Sequence, residues 1–402
     1  MVIGVIGGGA SGMAAAIAAA NGQNVQVILF ERQARVGRKL LATGNGRCNL
    51  TNLNMQLQHY HGDAPEFAAE ALRRYPVERV LNWFRDLGLI TVAEASGRVY
   101  PYSDQANSVL DVLRFALERA NVQVKSGFDV TKVRNTDGAF WVEGAETVRC
   151  DKLIVACGGL AGTKLGGSMS GYKLLRSFGH RCTRLRPALV QIKSDWNGCV
   201  SLKGVRANCR AEILCDGILH SQSVGELQFT EMGLSGPVMF EISRDACQNR
   251  SDWSCRLDFL PDMDETMLWE ALGRRRSWDL TADELLTGIL HNRLGRVLTG
   301  ASGVSAQRKI CDLSDGDLRD VCRIVKGLEV GLTEPLGMDS AQVTAGGIVT
   351  DDFDPATMES RLVPGLYACG EVLDIDGDCG GYNLQWAWSS GMLAGKSAGE
   401  VI

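Results

Sequence analysis

Gly7, Gly9 and Gly12 form the pattern GxGxxG between an apolar run, Val2 to Ile6, and an alanine-rich run, Met13 to Ala20. Glycines at this spacing suit a pyrophosphate: the first permits a tight turn, the second lets backbone approach the phosphates, and the third lets helix pack on strand. The helix mouth, with Ala10 and Ser11, presents free N–H groups and a partial positive charge to the anion. Glu31 closes the next apolar run, Val25 to Phe30, followed by Arg32. A carboxylate there accepts hydrogen bonds from both ribose hydroxyls and disfavours a 2′-phosphate, which points to FAD or NAD rather than NADP. The bland alternative is a tight turn with Ser11 as the helix N-cap.

FAD is separated from NAD near the other end of the chain. Gly365 to Cys369 reads as a strand ending in Gly370 and Glu371, and a carboxylate so placed can accept from ribityl hydroxyls. Gly381, Tyr382, Asn383 and Leu384 open the last helix, whose N-terminus would favour the anionic reduced form of a flavin ring. Ala156, Gly158 and Gly159, at a further strand end, read as backbone approach to the same non-covalently held FAD, and Val130 is counted with them.

A longer stretch carries a resemblance. Residues 38–52 read RKLLATGNGRCNLTN, which resembles the signature of the BaiN-like (YhiN-type) flavoproteins. So do Gly97 to Pro101, Phe229-Thr230 with Gly233 to Pro237, and Thr344 to Gly347, so that the likeness runs the length of the chain. It implies an α/β fold: a Rossmann-like FAD-binding domain of the glutathione-reductase type, with a β-barrel-like insert and a helical insert. It further implies an NAD(P)/FAD-dependent oxidoreductase that reduces the conjugated C=C of a 3-oxo steroid or bile-acid-like substrate or, in some relatives, oxidises a small aminoketone. Within the signature, Arg38 and Lys39 are expected at phosphate or ribityl oxygens, with Gly44, Asn45, Arg47, Cys48 and Asn49 beside the flavin ring. Arg47 has a second reading as a loop staple, and Cys48 reads as packing or flavin contact rather than as a redox thiol.

Reducing an enone takes hydride from flavin, a proton for the neighbouring carbon and a group to polarise the carbonyl. Tyr100, Arg98, Tyr382 and Arg47 are the catalytic candidates, with Tyr102 behind them; His59 and His61 read as surface-loop residues. No second GxGxxG follows a strand, so NAD(P)H would visit an open flavin face transiently. An FAD-dependent oxidase and a non-catalytic flavin-binding protein remain as alternatives.

These groups must be held by elements that the periodicity supplies. Strand, glycine turn, helix and strand in the first residues make a βαβ unit and therefore a parallel sheet. Helical spacing recurs at Phe67 to Leu87 and Val109 to Leu117, and strands are expected at Val122 to Val124, Val130 to Val133, Phe140 to Val142 and Leu153 to Ala156. From Leu189 the texture becomes β-rich, with helices between Asp264 and Val325. Ala345 to Asp352 reads as a strand and Leu384 to Ala398 as the closing helix. The expected division is 1–188 with 345–402 for FAD, 189–262 with 326–344 for a β-rich domain and 263–325 for a helical one.

Bulk properties narrow the class. The 402 residues carry 45% hydrophobic and 22% charged side chains, ordinary for a globular protein. A net charge of −5 gives no reason to expect nucleic acid or anionic membrane as a partner, and the expected partner is a small molecule. The 13 cysteines form no CxxC pair, so neither a zinc site nor a dithiol motif is supported, and they fit a reducing cytoplasm. Met1 to Ile6 runs straight into the glycine turn and reads as a strand rather than a leader. No apolar run approaches the ~20 residues of a membrane span.

Overall fold

The computed structural model describes residues 1–244, 246 and 252–400, and it divides into two compact units, Met1–Pro187 with Gln342 onward, and Ala188–Ala341. In the first, five strands form one sheet in the order Leu366–Ala368, Lys152–Val155, Val2–Ile6, Gln26–Glu31, Gln123–Ser126. Every pairing in it is parallel. Ile3, Val5, Leu29, Leu153 and Ile154 are fully buried, as expected for strands covered on both faces.

Helix Ala10–Ala19 follows the first strand and is buried along almost its whole length. The last helix, Tyr382–Gly399, lies along it, and the close approach has a visible cause. Gly391, Gly395 and Gly399 recur every four residues and so share one face. A Cβ on them would lie 2.4 Å from the Ser11 carbonyl oxygen, 2.1 Å from that of Ala15 and 2.8 Å from that of Ala19. The two backbones touch, which ties the C-terminal segment to the N-terminal glycine turn.

A three-stranded antiparallel meander, Lys132–Thr136, Ala139–Glu143 and Thr147–Cys150, also lies in this unit, and two of the small sheets bear on the site. One joins Thr51–Asn52, Arg98–Pro101 and Thr91–Ala93, and the other pairs Tyr60–His61 with Asp376–Gly377. The strand expected over Ala345 to Asp352 does not form. Strand Val343–Ala345 stops at Gly346, whose φ of +92° breaks the extended run, and Thr350–Asp352 is a single 3-10 turn.

In the second unit six antiparallel strands close into a barrel: Ile192–Ser194, Gly233–Ser235, Ile218–Thr230, Arg206–Cys215, Trp253–Asp258 and Leu328–Pro335. The longest of them, Ile218–Thr230, is one continuous strand of 13 residues. Its alternation of exposed and half-buried residues weakens the apolar signal in the middle. Helices Glu265–Gly273, Asn292–Ala301 and Asp315–Gly327 lie between the fifth and sixth barrel segments in sequence, and Leu268, Leu294, Leu298 and Val321 join the barrel side chains in one core.

Candidate active site

All five strands of the parallel sheet deliver a stretch singled out above at their carboxyl ends. Gly7 follows the first strand, Glu31 closes the second, Ala156 and Gly158 follow Lys152–Val155, Gly370 and Glu371 follow Leu366–Ala368, and Val130 lies just beyond Gln123–Ser126. The chain crosses to either side of Val2–Ile6, which makes this edge the switch point where open parallel sheets bind ligands.

At the first turn, Gly7 has a φ of +109°, and a Cβ on Gly12 would sit 1.8 Å from the Gly7 carbonyl oxygen. Only glycine fits either position. A Cβ on Gly9, by contrast, would meet nothing within 4 Å, so the helix mouth opens onto free space. The Glu31 carboxylate accepts from Gly8 N and Gln33 N, both at 2.7 Å, which fixes its orientation beside that mouth. Phe128 N donates to Glu31 O, bringing the segment that ends at Val130 alongside.

The two ends of the chain meet here. Gly370, with φ +76°, leaves only 2.5 Å between a hypothetical Cβ and Ser11 Oγ. Lys39 Nζ donates to Glu371 Oε2 at 3.0 Å, and Thr344 N donates to Glu371 Oε1 at 2.8 Å. Thr344, unnoticed in the sequence as a single residue, also accepts from Ala161 N through its hydroxyl. Arg32 and Arg38 are exposed, Arg32 donating to Gly166 O at 2.6 Å and Arg38 to Gln33 Oε1 at 2.9 Å.

A second group gathers at the mouth of the last helix. Gly44, Asn45, Gly46 and Cys48 all have positive φ, broken only by Arg47 at −93°, and a Cβ on Gly44 would lie 3.4 Å from Tyr100 Cε1. Arg47 lies 3.9 Å over that ring and is ion-paired to Glu94 and Asp104. These side-chain contacts tie the loop to two segments further along the chain. Trp388 Nε1 donates to Leu50 O, and Thr51 Oγ1 bonds Gln385 Oε1 at 2.6 Å, fastening the loop to the helix. Asn52 Nδ2 donates to Gly380 O, and Arg98 reaches the same glycine. Gly381 caps the helix with a φ of +104°, Asn383 clamps Gly377 from both sides, and Leu384 is half-buried.

Cys48 is fully buried, and burial pushes its thiol up to about 12, so it packs as a thiol rather than acting as a thiolate. Burial likewise raises the Tyr100 phenol. Tyr102, with 73% of its surface exposed, lies outside the group. His59 and His61, surface-loop residues by sequence, are partly exposed and both bond Asp378.

The residues present fit a bound dinucleotide: an open, amide-rich helix mouth, an oriented acid, and a buried acceptor, Asn49 Oδ1, left without a protein partner. Fold and site together define a Rossmann-like FAD-binding protein with a barrel insert. The family described as HI0933-like protein Rossmann domain matches residues 1–397, and the chain belongs to this family, the BaiN-like flavoprotein oxidoreductases of the resemblance above. It is 40% identical over 405 residues, 99% of each chain, to a 3-dehydro-bile acid delta(4,6)-reductase of Clostridium scindens. It is 31% identical over 412 residues, 98% of each chain, to a ribosomal RNA dihydrouridine synthase of Escherichia coli. In fold it is similar to a 3-ketosteroid-delta4-(5alpha)-dehydrogenase of Rhodococcus jostii, at 14% identity and a TM-score of 0.52 over 99% of this chain and 96% of that one. Net charge had argued against nucleic acid as a partner; a relative that acts on ribosomal RNA removes that exclusion. Among the described residues no helix is long and apolar enough to cross a membrane.

Proposed function

We propose that the protein is an FAD-dependent reductase of a C=C bond conjugated to a carbonyl, using NAD(P)H as transient electron donor. The observation that supports this most is the convergence of Gly7–Gly12, Glu31, Lys39 and Glu371 at one edge of the parallel sheet. In this reading Glu31 takes the adenosine ribose, the mouth of helix Ala10–Ala19 takes the pyrophosphate, and Lys39 with Glu371 meets the ribityl region. The mouth of the last helix, at Gly381 and Tyr382, would lend its partial positive charge to the anionic reduced form of the flavin ring. Bound flavin supplies hydride at N5. Around it, the stapled loop and the buried Tyr100 keep the ring face shaped and dry.

The two kinds of relative favour the same chemistry. A Δ4,6 double bond next to a 3-oxo group and the uracil C5=C6 bond are both alkenes activated by a carbonyl, and each is reduced by hydride plus a proton. The 40% relative supports a 3-oxo steroid as first candidate substrate. The 31% relative supports uridine in ribosomal RNA as the second. Anaerobic mixing tests the reading: NADH or NADPH bleaches the yellow protein, and an enone steroid or a uridine-containing ribosomal RNA fragment restores the colour. Bleaching only by an amine, with peroxide formed in air, would establish an oxidase instead.

A further inference from the structure

The loop leading into the last helix carries a cluster that the dinucleotide cradle does not use. Tyr60–His61 pairs antiparallel with Asp376–Gly377, with His61 opposite Asp376. His59 closes the 3-10 turn Leu57–His59, His61 lies in the strand that follows, and both meet a single carboxylate. His59 Nδ1 is 2.9 Å from Asp378 Oδ2, and His61 Nε2 is 2.6 Å from Asp378 Oδ1. The backbone holds this clamp in place, because Asp378 N donates to His59 O at 2.9 Å and Asn383 Nδ2 donates to Gly377 O at 2.6 Å. The His59 ring stacks on Tyr382, the first residue of the helix, with centroids 4.4 Å apart.

Exposure matters here. The side chains of His59, His61 and Asp378 are 24%, 33% and 32% exposed, shielded enough to hold a geometry yet open to proton exchange with water. Burial pushes the Asp378 carboxyl up, but the hydrogen bonds from His61 and His59 outweigh it, so it lies below its ordinary value and is ionised at neutral pH. The other titratable or charged groups around the loop are Tyr60, Tyr382, Asp374, Asp376, Cys379 and Arg98. Tyr60 is buried, its phenol pushed well above the usual range. Imidazole is the side chain that ordinarily exchanges protons near neutrality.

We infer that His59 and His61, clamped on Asp378 at the mouth of the last helix, are the acid that supplies the second hydrogen of the reduction. This rests on the reaction proposed above. Hydride from reduced flavin forms a C–H bond at the carbon β to the carbonyl, and the alkene π pair moves to make an enolate. The α-carbon of the enolate then takes a proton from an imidazolium N–H. The flavin is oxidised, the alkene reduced, and the neutral imidazole regains its proton from water. Asp378 is the positioning residue that keeps both rings in place.

The test uses the flavin-loaded protein in anaerobic stopped flow, with a 3-oxo-4-ene steroid and a uridine-containing ribosomal RNA fragment as probes. Replacing both rings by glutamine (His59→Gln with His61→Gln) keeps hydrogen-bonding capacity and removes the acid. Flavin reduction by NAD(P)H should stay within about twofold, while reoxidation by substrate slows about 100-fold or more and loses its pH dependence. Equal reoxidation rates in variant and wild type, or equal slowing of both half-reactions, overturns the assignment. A wild-type flavin that neither probe reoxidises instead sinks the reaction itself. A second readout needs no flavin: with both rings replaced by phenylalanine, the Asp378 carboxyl should titrate higher by carbon-13 NMR, because burial then acts unopposed. An unmoved titration would show that the clamp does not exist in solution.

Discussion

Lys39 and Glu371 lie at opposite ends of the sequence and 3.0 Å apart in space, so this one contact reports whether the split site is assembled. Both side chains are partly shielded, at 32% and 20% exposure, which makes the pair worth more than an open surface bridge. Lys39→Met should raise the flavin Kd about tenfold, roughly 1.4 kcal/mol. Equilibrium dialysis checks it, and an unchanged Kd would place the cofactor elsewhere. Cysteine reactivity makes a second residue-scale prediction. Cys311 is exposed, whereas Cys48 is buried with its thiol pushed up to about 12. Alkylation of the native protein at pH 8 should therefore label Cys311 and spare Cys48, as peptide mass spectrometry can read. The resemblance carried by the signature loop marked Arg47 as a candidate. Its partners Glu94 and Asp104, 47 and 57 positions further on, could not be read from the loop itself.

At the scale of elements, the sequence was most legible where one strand, turn and helix are contiguous. The apolar run, the three glycines and Glu31 all act within one βαβ unit, and local chemistry decides them. Contacts closed across hundreds of residues were far less legible. Gly391, Gly395 and Gly399 stand at helical spacing in plain view, but their purpose shows only once Ser11, Ala15 and Ala19 are seen against them. His59 and His61 looked like loop residues because their partner, Asp378, comes more than 300 positions later. The missing strand after Ala345 failed for a local reason, a left-handed glycine inside an apolar run. The glycine face gives a direct test. Gly395→Leu drives a side chain into the Ala15 carbonyl and should cost about 3 kcal/mol or more, with loss of flavin uptake, in thermal melts and absorbance titrations.

For the molecule as a whole, pH dependence of stability follows from buried groups. His180 is fully shielded, stacked on Phe353 at 4.5 Å, with Nε2 bonded to Ser360 Oγ at 3.1 Å. Burial holds its pKa below the ordinary value of 6.5, despite Asp352 nearby. The unfolded chain then binds a proton more readily than the native one, so this contribution is whole above about pH 6.5 and fades as pH falls toward the depressed value. The Tm should drop by a few degrees between pH 7 and 5.5, and less in His180→Gln. Function turns on the cofactor and its reaction. Purified protein should carry about one FAD per chain, bleach with NADH or NADPH without oxygen, and recover its colour only when a carbonyl-conjugated alkene is added. A colourless preparation that takes up no flavin, or a bleached one that such alkenes leave unchanged, would contradict it.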